Sequence, residues 1–227
     1  MPSDAGWVFT RSNGAWTQEG GKLVGFGAVG TAPPFQCCPA ISGDGNTILF
    51  AAVQPGGGGN GFSWVFTRNS GVWSQQGGVL IGGDVGGSVY QAGASALSTD
   101  GSTAIVSGYD KATLAAYAWI FTRNSGIWTQ QGSRLEASEP LTDTTSQVYV
   151  SLSADGGTAL VNNTIFKRGR EGIWRKTGSI AAPVGPATFS ADAATAIIGG
   201  PGDNNGLGEA LIFTDVGSGR FRRRPPQ

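Results

Sequence analysis

Apolar and polar residues alternate along this chain in short runs, each stopped by a cluster of Gly, Asn, Asp or Ser and resumed on the far side. In the run beginning at Trp7, the side chains of Trp7, Phe9 and Arg11 share one face and those of Val8 and Thr10 the other. Period-two alternation rich in aromatic and β-branched residues predicts half-buried strands, and the turn clusters between runs predict hairpins.

The runs repeat. WVFTRSNGAWTQ begins at Trp7, WVFTRNSGVWSQ at Trp64 and WIFTRNSGIWTQ at Trp119, with weaker copies TIFKRGREGIWRK at Thr164 and LIFTDVGSGRFRRR at Leu211. A second phrase lies between them: ISGDGNTILFAAV from Ile41, LSTDGSTAIVSG from Leu97, LSADGGTALVNN from Leu152 and FSADAATAIIGG from Phe189. With the strands of the second phrase called A and B and those of the first C and D, the chain reads C-D and then A-B-C-D four times. Four-stranded units recurring at this spacing predict blades arranged radially. The expected fold is therefore an all-β propeller of four-stranded antiparallel blades, about four full blades plus an N-terminal hairpin, four to five blades in all, as a small or an incomplete ring. One domain over 1–227 is expected, with the hairpin at 6–26 and blades at 35–81, 89–136, 147–180 and 186–224. One blade cannot bury both faces of its sheet, so the repeated Trp and Phe are expected to fill the space between neighbours, and truncating Trp73 or Trp128 to cost about 3–5 kcal/mol.

At these residues the chain resembles the bacterial FG-GAP-like propeller repeats, relatives of the integrin alpha-chain propeller. The segments GGPGDNNGLGEALIF from Gly199 and TQEGGKLVGFGAVG from Thr17 each match a contiguous part of that family's unit. The resemblance implies a propeller of extracellular or cell-envelope location that serves binding or adhesion more often than catalysis. Two features depart from it. Calcium-binding members carry a loop like DxDxDG, whereas the turns here offer one Asp each, at Asp44, Asp100, Asp155 and Asp192. Family rings commonly have about seven blades.

Composition narrows the chemistry. Gly accounts for 39 of 227 residues, which disfavours a helical fold, and 15 basic residues balance 15 acidic ones, so no nucleic-acid partner is expected. Histidine is absent, which removes the Ser-His-Asp and Cys-His pairs and any imidazole acid or base. No run is long and apolar enough for a membrane span, and no signal peptide is visible at the start. Cys37 and Cys38, adjacent in sequence, read as small buried hydrophobes.

The motifs read mostly as structure. Gly25-Phe26-Gly27-Ala28-Val29-Gly30 fits GxGxxG but leads into a loop with Pro33 and Pro34 where a dinucleotide site needs a helix. The four repeated Asp sit where hairpin tips need them, too far apart to act as a carboxylate pair. No cofactor and no metal site is expected, Asp203-Asn204-Asn205-Gly206 with Glu209 being the best cation candidate. Asn162-Asn163-Thr164 fits a glycosylation sequon in the tightest B–C connection. The Arg-rich end, RFRRRPPQ, reads as a degenerate D strand with Phe221 in the place of the repeated Trp.

The copies can be compared with one another. The A–B turns and the first three C–D turns barely vary, while the B–C and D–A connections differ from blade to blade, so one side of the disc is uniform and the other diverse. Variable loops on a rigid scaffold carry binding residues, and those on offer are Tyr90, Tyr109, Asp110, Lys111, Glu139, Asp143, Asp203 and Asn204. The expectation is a non-catalytic binding or interaction module, not an enzyme, with a protein or glycan ligand on the diverse side and self-association through any open blade edge. The alternatives are a propeller hydrolase or lyase acting on polysaccharide, and a structural or truncated part of a longer repeat protein.

Overall fold

The computed structural model describes residues 5–27, 39–52, 61–142, 147–200, 207–217 and 220–224. It is all-β. A hairpin of β1 (Gly6–Ser12) and β2 (Ala15–Leu23) is followed by four antiparallel meanders. Blade 1 comprises β3 (Ala40–Ile41), β4 (Thr47–Ala52), β5 (Phe62–Asn69) and β6 (Val72–Gln75). Blade 2 comprises β7 (Val89–Leu97), β8 (Thr103–Asp110), β9 (Ala116–Asn124) and β10 (Ile127–Gln130), with the short β11 (Leu135–Glu136) returning to pair with β9. Blade 3 is β12 (Val150–Leu152), β13 (Thr158–Val161), β14 (Thr164–Arg168) and β15 (Trp174–Ser179). Blade 4 is β16 (Ala187–Phe189), β17 (Thr195–Gly200), β18 (Glu209–Asp215) and β19 (Phe221–Arg223). Within each blade every strand pairs with its sequence neighbour, in the order A-B-C-D. The A strands β3, β7, β12 and β16 touch one another in succession. They form the inner edge, and the sheets splay outward as the blades of a β-propeller.

Local chemistry makes the turns. At the C–D tips Asn13, Ser70 and Ser125 each take a φ of 49° and are followed by Gly14, Gly71 and Gly126 at 83°, 79° and 82°, the two successive left-handed residues of a type I′ hairpin. At the A–B tips a serine and an aspartate act together. In blade 1 the hydroxyl of Ser42 donates to Asp44 Oδ1 at 2.5 Å, the backbone N–H of Asn46 donates to the same oxygen at 2.9 Å, and Ser42 Oγ accepts the N–H of Thr47 at 2.9 Å. The same three bonds recur with Ser98 and Asp100, Ser153 and Asp155, and Ser190 and Asp192.

Those tips also join the blades. The N–H of Gly43 donates to the carbonyl of Thr99 at 2.8 Å, that of Thr99 to Ala154 at 2.8 Å, and that of Ala154 to Ala191 at 2.7 Å. Each bond links one A–B turn to the next blade's turn, so the repeated second position of Ser-x-Asp is a relay station.

Packing between blades follows the strand period. The C-strand triplet Trp-Val/Ile-Phe sends its outer two residues toward the preceding blade and its central one toward the following blade. Leu49 and Val65, Ile105 and Ile120, and Leu160 and Ile165 are directly opposed cross-strand pairs, all fully buried against the next blade. Trp64 and Trp119 are equally buried from the other side, at 1% and 0% exposure. Trp73 and Trp128, whose truncation the sequence reading expected to cost as much as that of a fully buried aromatic, are only partly buried in the D strands. The deep anchors are the C-strand tryptophans, because C lies inside D. Each needs a glycine opposite: a Cβ at Gly25 would fall 2.5 Å from the Trp64 ring, and one at Gly82 would fall 2.3 Å from Trp119. Gly25, the first residue of the GxGxxG match, therefore makes room for an indole.

Candidate functional site

On the diverse side, between blades 2 and 3, β7 and β8 end together. Tyr90 and Tyr109 are cross-strand partners with ring centroids 5.9 Å apart, and Val89 pairs with Asp110. The loop that follows is built on Asp110, whose Oδ1 accepts the N–H of Ala112 at 2.8 Å and of Thr113 at 3.4 Å. The bond from Ala112, followed by one from Ser88, holds the Asp110 carboxyl below the usual carboxylate range, so it is ionised at neutral pH. The N–H of Lys111 donates to the Ser88 carbonyl at 2.8 Å. Of the residues singled out from sequence, Tyr90, Tyr109, Asp110 and Lys111 thus lie together, and Glu139 is exposed on the next D–A connection. Asp143, Asp203 and Asn204 lie outside the described residues, as do Cys37 and Cys38.

Blade 3 adds a feature that sequence reasoning passed over. Its B–C connection is Asn162-Asn163, and the shortness of that turn pulls both amides inside: Asn162 is 1% exposed and Asn163 7%. Asn162 Oδ1 accepts the N–H of Tyr149 at 3.0 Å and Asn163 Nδ2 donates to the Ala182 carbonyl at 3.3 Å. The other end of each amide, Asn162 Nδ2 and Asn163 Oδ1, is buried without a partner among the described residues. Buried polar atoms are nearly always paired, and leaving one unmet costs about 1–3 kcal/mol. One unmet atom is a donor and the other an acceptor. The burial of Asn162 also closes the sequon to a glycan. The signal available in the sequence was the missing B–C loop itself, which removes the residues that would have kept these amides at the surface.

A contrasting case is Gln91 on β7, fully buried and fully used. Its Oε1 accepts the N–H of Gly82 at 3.0 Å, while Nε2 donates to Ser63 Oγ at 3.1 Å and the Leu80 carbonyl at 2.9 Å. That network ties the inner strand of blade 2 to blade 1.

On the uniform side the turn aspartates serve the hairpins. Each turn aspartate spends one oxygen on its own hairpin, and these bonds lower the carboxyl pKa of Asp44 from 3.8 to about 2, with the Ser42 hydroxyl the largest cause. Asp155 and Asp192 are lowered in the same way, chiefly by Ser153 and Ser190. At Asp100 burial pushes upward but is outweighed by bonds from Ser98 and Ser102. Among the described residues no group of three or more His, Cys, Asp or Glu is placed to hold a metal ion, and no helix is long and apolar enough to cross a membrane.

No protein-family model matches the chain, and no curated protein does. Solved structures do. A crystal structure from Bacteroides uniformis, provisionally named a 6-phosphogluconolactonase, superposes with a TM-score of 0.62 at 15% identity, covering 96% of this chain and 63% of its own. One from Bacteroides fragilis with the same provisional name gives 0.62 at 16% identity, again over 96% of this chain and 63% of that one. A protein of Lactobacillus plantarum gives 0.58 at 15%, over 97% and 64%. The chain has the β-propeller fold. It spans somewhat less than two thirds of the length of these structures.

These likenesses correct one expectation. A non-catalytic binding or interaction module was the reading of the repeats, on the ground that FG-GAP-like propellers more often bind than catalyse. Two of the propellers that superpose on nearly the whole chain instead carry a provisional enzyme name, and they do not bear out the non-catalytic reading. The sequence-based reading failed because it weighted the family resemblance of the blade scaffold, and a scaffold hosts many functions.

Proposed function

We propose that this chain carries the blades of a propeller enzyme, a hydrolase or lyase of carbohydrate-class substrates, with its chemistry on the diverse side around blades 2 and 3. The observation that carries the reading is the pair of buried, unmet amide atoms, Asn162 Nδ2 and Asn163 Oδ1. The lactonase names of two superposing structures support it. Glycoside hydrolysis asks for two carboxyl groups about 5–9.5 Å apart; Asp110, the carboxylate of this cluster, is ionised and holds its own loop. Opening of an activated ester such as a sugar lactone asks less. An amide N–H from Asn162 would polarise the carbonyl oxygen, and Asn163 Oδ1 would accept from a hydroxyl or from the attacking water. Tyr90, Tyr109, Asp110 and Lys111 would flank the substrate, and the sequence offers Asp143, Asp203 and Asn204 as further candidates.

The finer kinship to FG-GAP-like repeats rests on the quoted motifs, and a bacterial source and an extracellular or cell-envelope location rest on that kinship alone.

The test is proton release from gluconolactone by the full chain, with a polyuronate in parallel to detect elimination by the absorbance of the new double bond. A rate above the buffer blank that falls at least about tenfold in Asn162→Asp, which keeps an oxygen for the Tyr149 N–H and removes the amide donor, is expected. Rates equal to the blank on both substrates would refute the proposal.

A further inference from the structure

The two ends of the blade array expose the residues that every internal boundary buries. In the C-strand triplets, Trp64 and Phe66 are 1% and 2% exposed, and Trp119 and Phe121 are 0% and 3%; in the hairpin, Trp7 and Phe9 are 55% and 54% exposed. Between them Val8 is buried at 8%, since blade 1 covers that face. At the far end the pattern inverts: Leu211 and Phe213 are buried, while Ile197 and Ile212, opposed across β17 and β18, are 42% and 44% exposed.

Three internal boundaries show what the hairpin's outer face is shaped to receive. At these three the residue three places after the D-strand tryptophan is an acceptor for the following blade. Glu19 takes Arg68 at 2.8 Å and the indole N–H of Trp73 at 3.4 Å. Gln76 takes Arg123 at 3.2 Å and Trp128 at 3.0 Å, and Gln131 takes Trp174 at 3.0 Å. After the acceptor the chain runs past the next blade's C-strand tryptophan. The Phe26 carbonyl accepts the Trp64 indole N–H at 3.0 Å, and Asp84 accepts that of Trp119 at 2.6 Å. On the hairpin, Arg11 and Trp16 occupy the positions of Arg68 and Trp73, and Trp16 is 66% exposed. The backbone relay through the A–B turns likewise stops at Gly43, because the hairpin has no A and B strands.

We propose that the outer face of the hairpin is a docking surface for a further unit of the same repeat. The unit has a D strand with Gln or Glu three residues after its Trp, a following Leu-x-Gly to cover Trp7, and an A–B pair to complete the hairpin as a blade. A second copy of this chain does not meet that description. Its trailing blade places Arg224 where Gln76 and Gln131 stand, each of the three donating its N–H at 2.8 Å to the central residue of a C-strand triplet. Arg224 would face Arg11 and the Trp16 indole, donors against donors and like charge against like charge.

The chain itself supplies the probe. A copy of residues 39–117, which comprises blade 1, the connection with Gly82 and Asp84, and the A–B pair of blade 2, is fused directly ahead of Gly6 of the full chain. Trp7→Ala is expected to lower the melting temperature of the extended chain by about 5 °C or more, and that of the original chain by about 1 °C or less. Amides of β1 should exchange more slowly in the extended chain, and Gln76→Arg within the added copy should cancel much of both effects. Equal shifts from Trp7→Ala in the two chains, or added residues that stay unprotected from exchange, would overturn the proposal. So would an oligomer of the original chain that dissociates on Trp7→Asp, which would make a second copy the occupant.

Discussion

The indole N–H of Trp128 donates to Oε1 of Gln76, 3.0 Å away across the boundary between blades 1 and 2. The same oxygen takes a bond from Arg123, whose guanidinium lies 5.4 Å from the centroid of the Trp128 ring. One amide thus seats a stacked Arg-Trp pair from the next blade. Gln76→Ala is expected to cost about 1–2 kcal/mol in urea unfolding, since it leaves two donors unmet at a partly buried site. Gln76→Glu should retain most of the stability, as the natural Glu19 does for Arg68 and Trp73.

The latch fails on both sides at once between blades 3 and 4. Thr177 stands where Gln76 and Gln131 stand in earlier blades, and Phe221 stands where the tryptophans stand. A cleft of about 1020 Å³, lined by Thr177, Ser179, Arg220, Phe221 and Arg222, lies at this boundary. Thr177→Gln and Phe221→Trp together should stabilise the chain by about 0.5–1.5 kcal/mol more than the sum of the single changes, as a double-mutant cycle would show. Additivity within error would mean that the two replacements are independent.

Depth within the blade ranks the tryptophans. Trp119→Ala should cost about 3–5 kcal/mol, the range for truncating a fully buried aromatic, and Trp128→Ala distinctly less. Equal losses in equilibrium unfolding would contradict the burial of C strands inside D strands.

Gly101 has a φ of 65°, and a Cβ there would stand 2.9 Å from Thr47 Oγ1 of blade 1. Gly101→Ala should therefore destabilise by about 2 kcal/mol through backbone strain and contact together. Blade 4 carries Ala193 at the matching position with a φ of 55°, so Ala193→Gly should cost little or raise the melting temperature.

Stability against pH follows from the turn aspartates. Their carboxyl pKa values are lower in the folded chain than in the unfolded one, reaching about 2 at Asp44 against 3.8. Between those values the unfolded chain binds more protons, so stability is full above the unfolded value and is lost as pH falls through the folded one. With no histidine in the chain, the melting temperature should be flat from about pH 5 to 8 and fall below about pH 4. Ser42→Ala should shrink the acid-dependent part, and a midpoint near neutral pH would contradict the assignment.

Strand period, hairpin tips and the repeat of four were set by residues within a few positions of one another. Trp7-Val8-Phe9 alternates because strands do, and Asn13-Gly14 turns because those two residues tolerate left-handed backbone. These are local energies, and the sequence by itself determined them, together with the blade architecture that repetition forces. Tyr90, Tyr109 and Asp110, three of the residues it offered on the diverse side, stand together because the ends of two paired strands hold them. What a repeat cannot state is which copy has a neighbour. Trp7 and Trp64 sit in the same motif, yet one is mostly exposed and the other sealed by Gly25, because burial depends on the surface of another blade. Asn162 and Asn163 fit a sequon that the tight B–C connection already discounted, but only the fold shows both amides drawn inside. Only tertiary structure decided those cases, since desolvation acts between segments that the chain brings together from a distance.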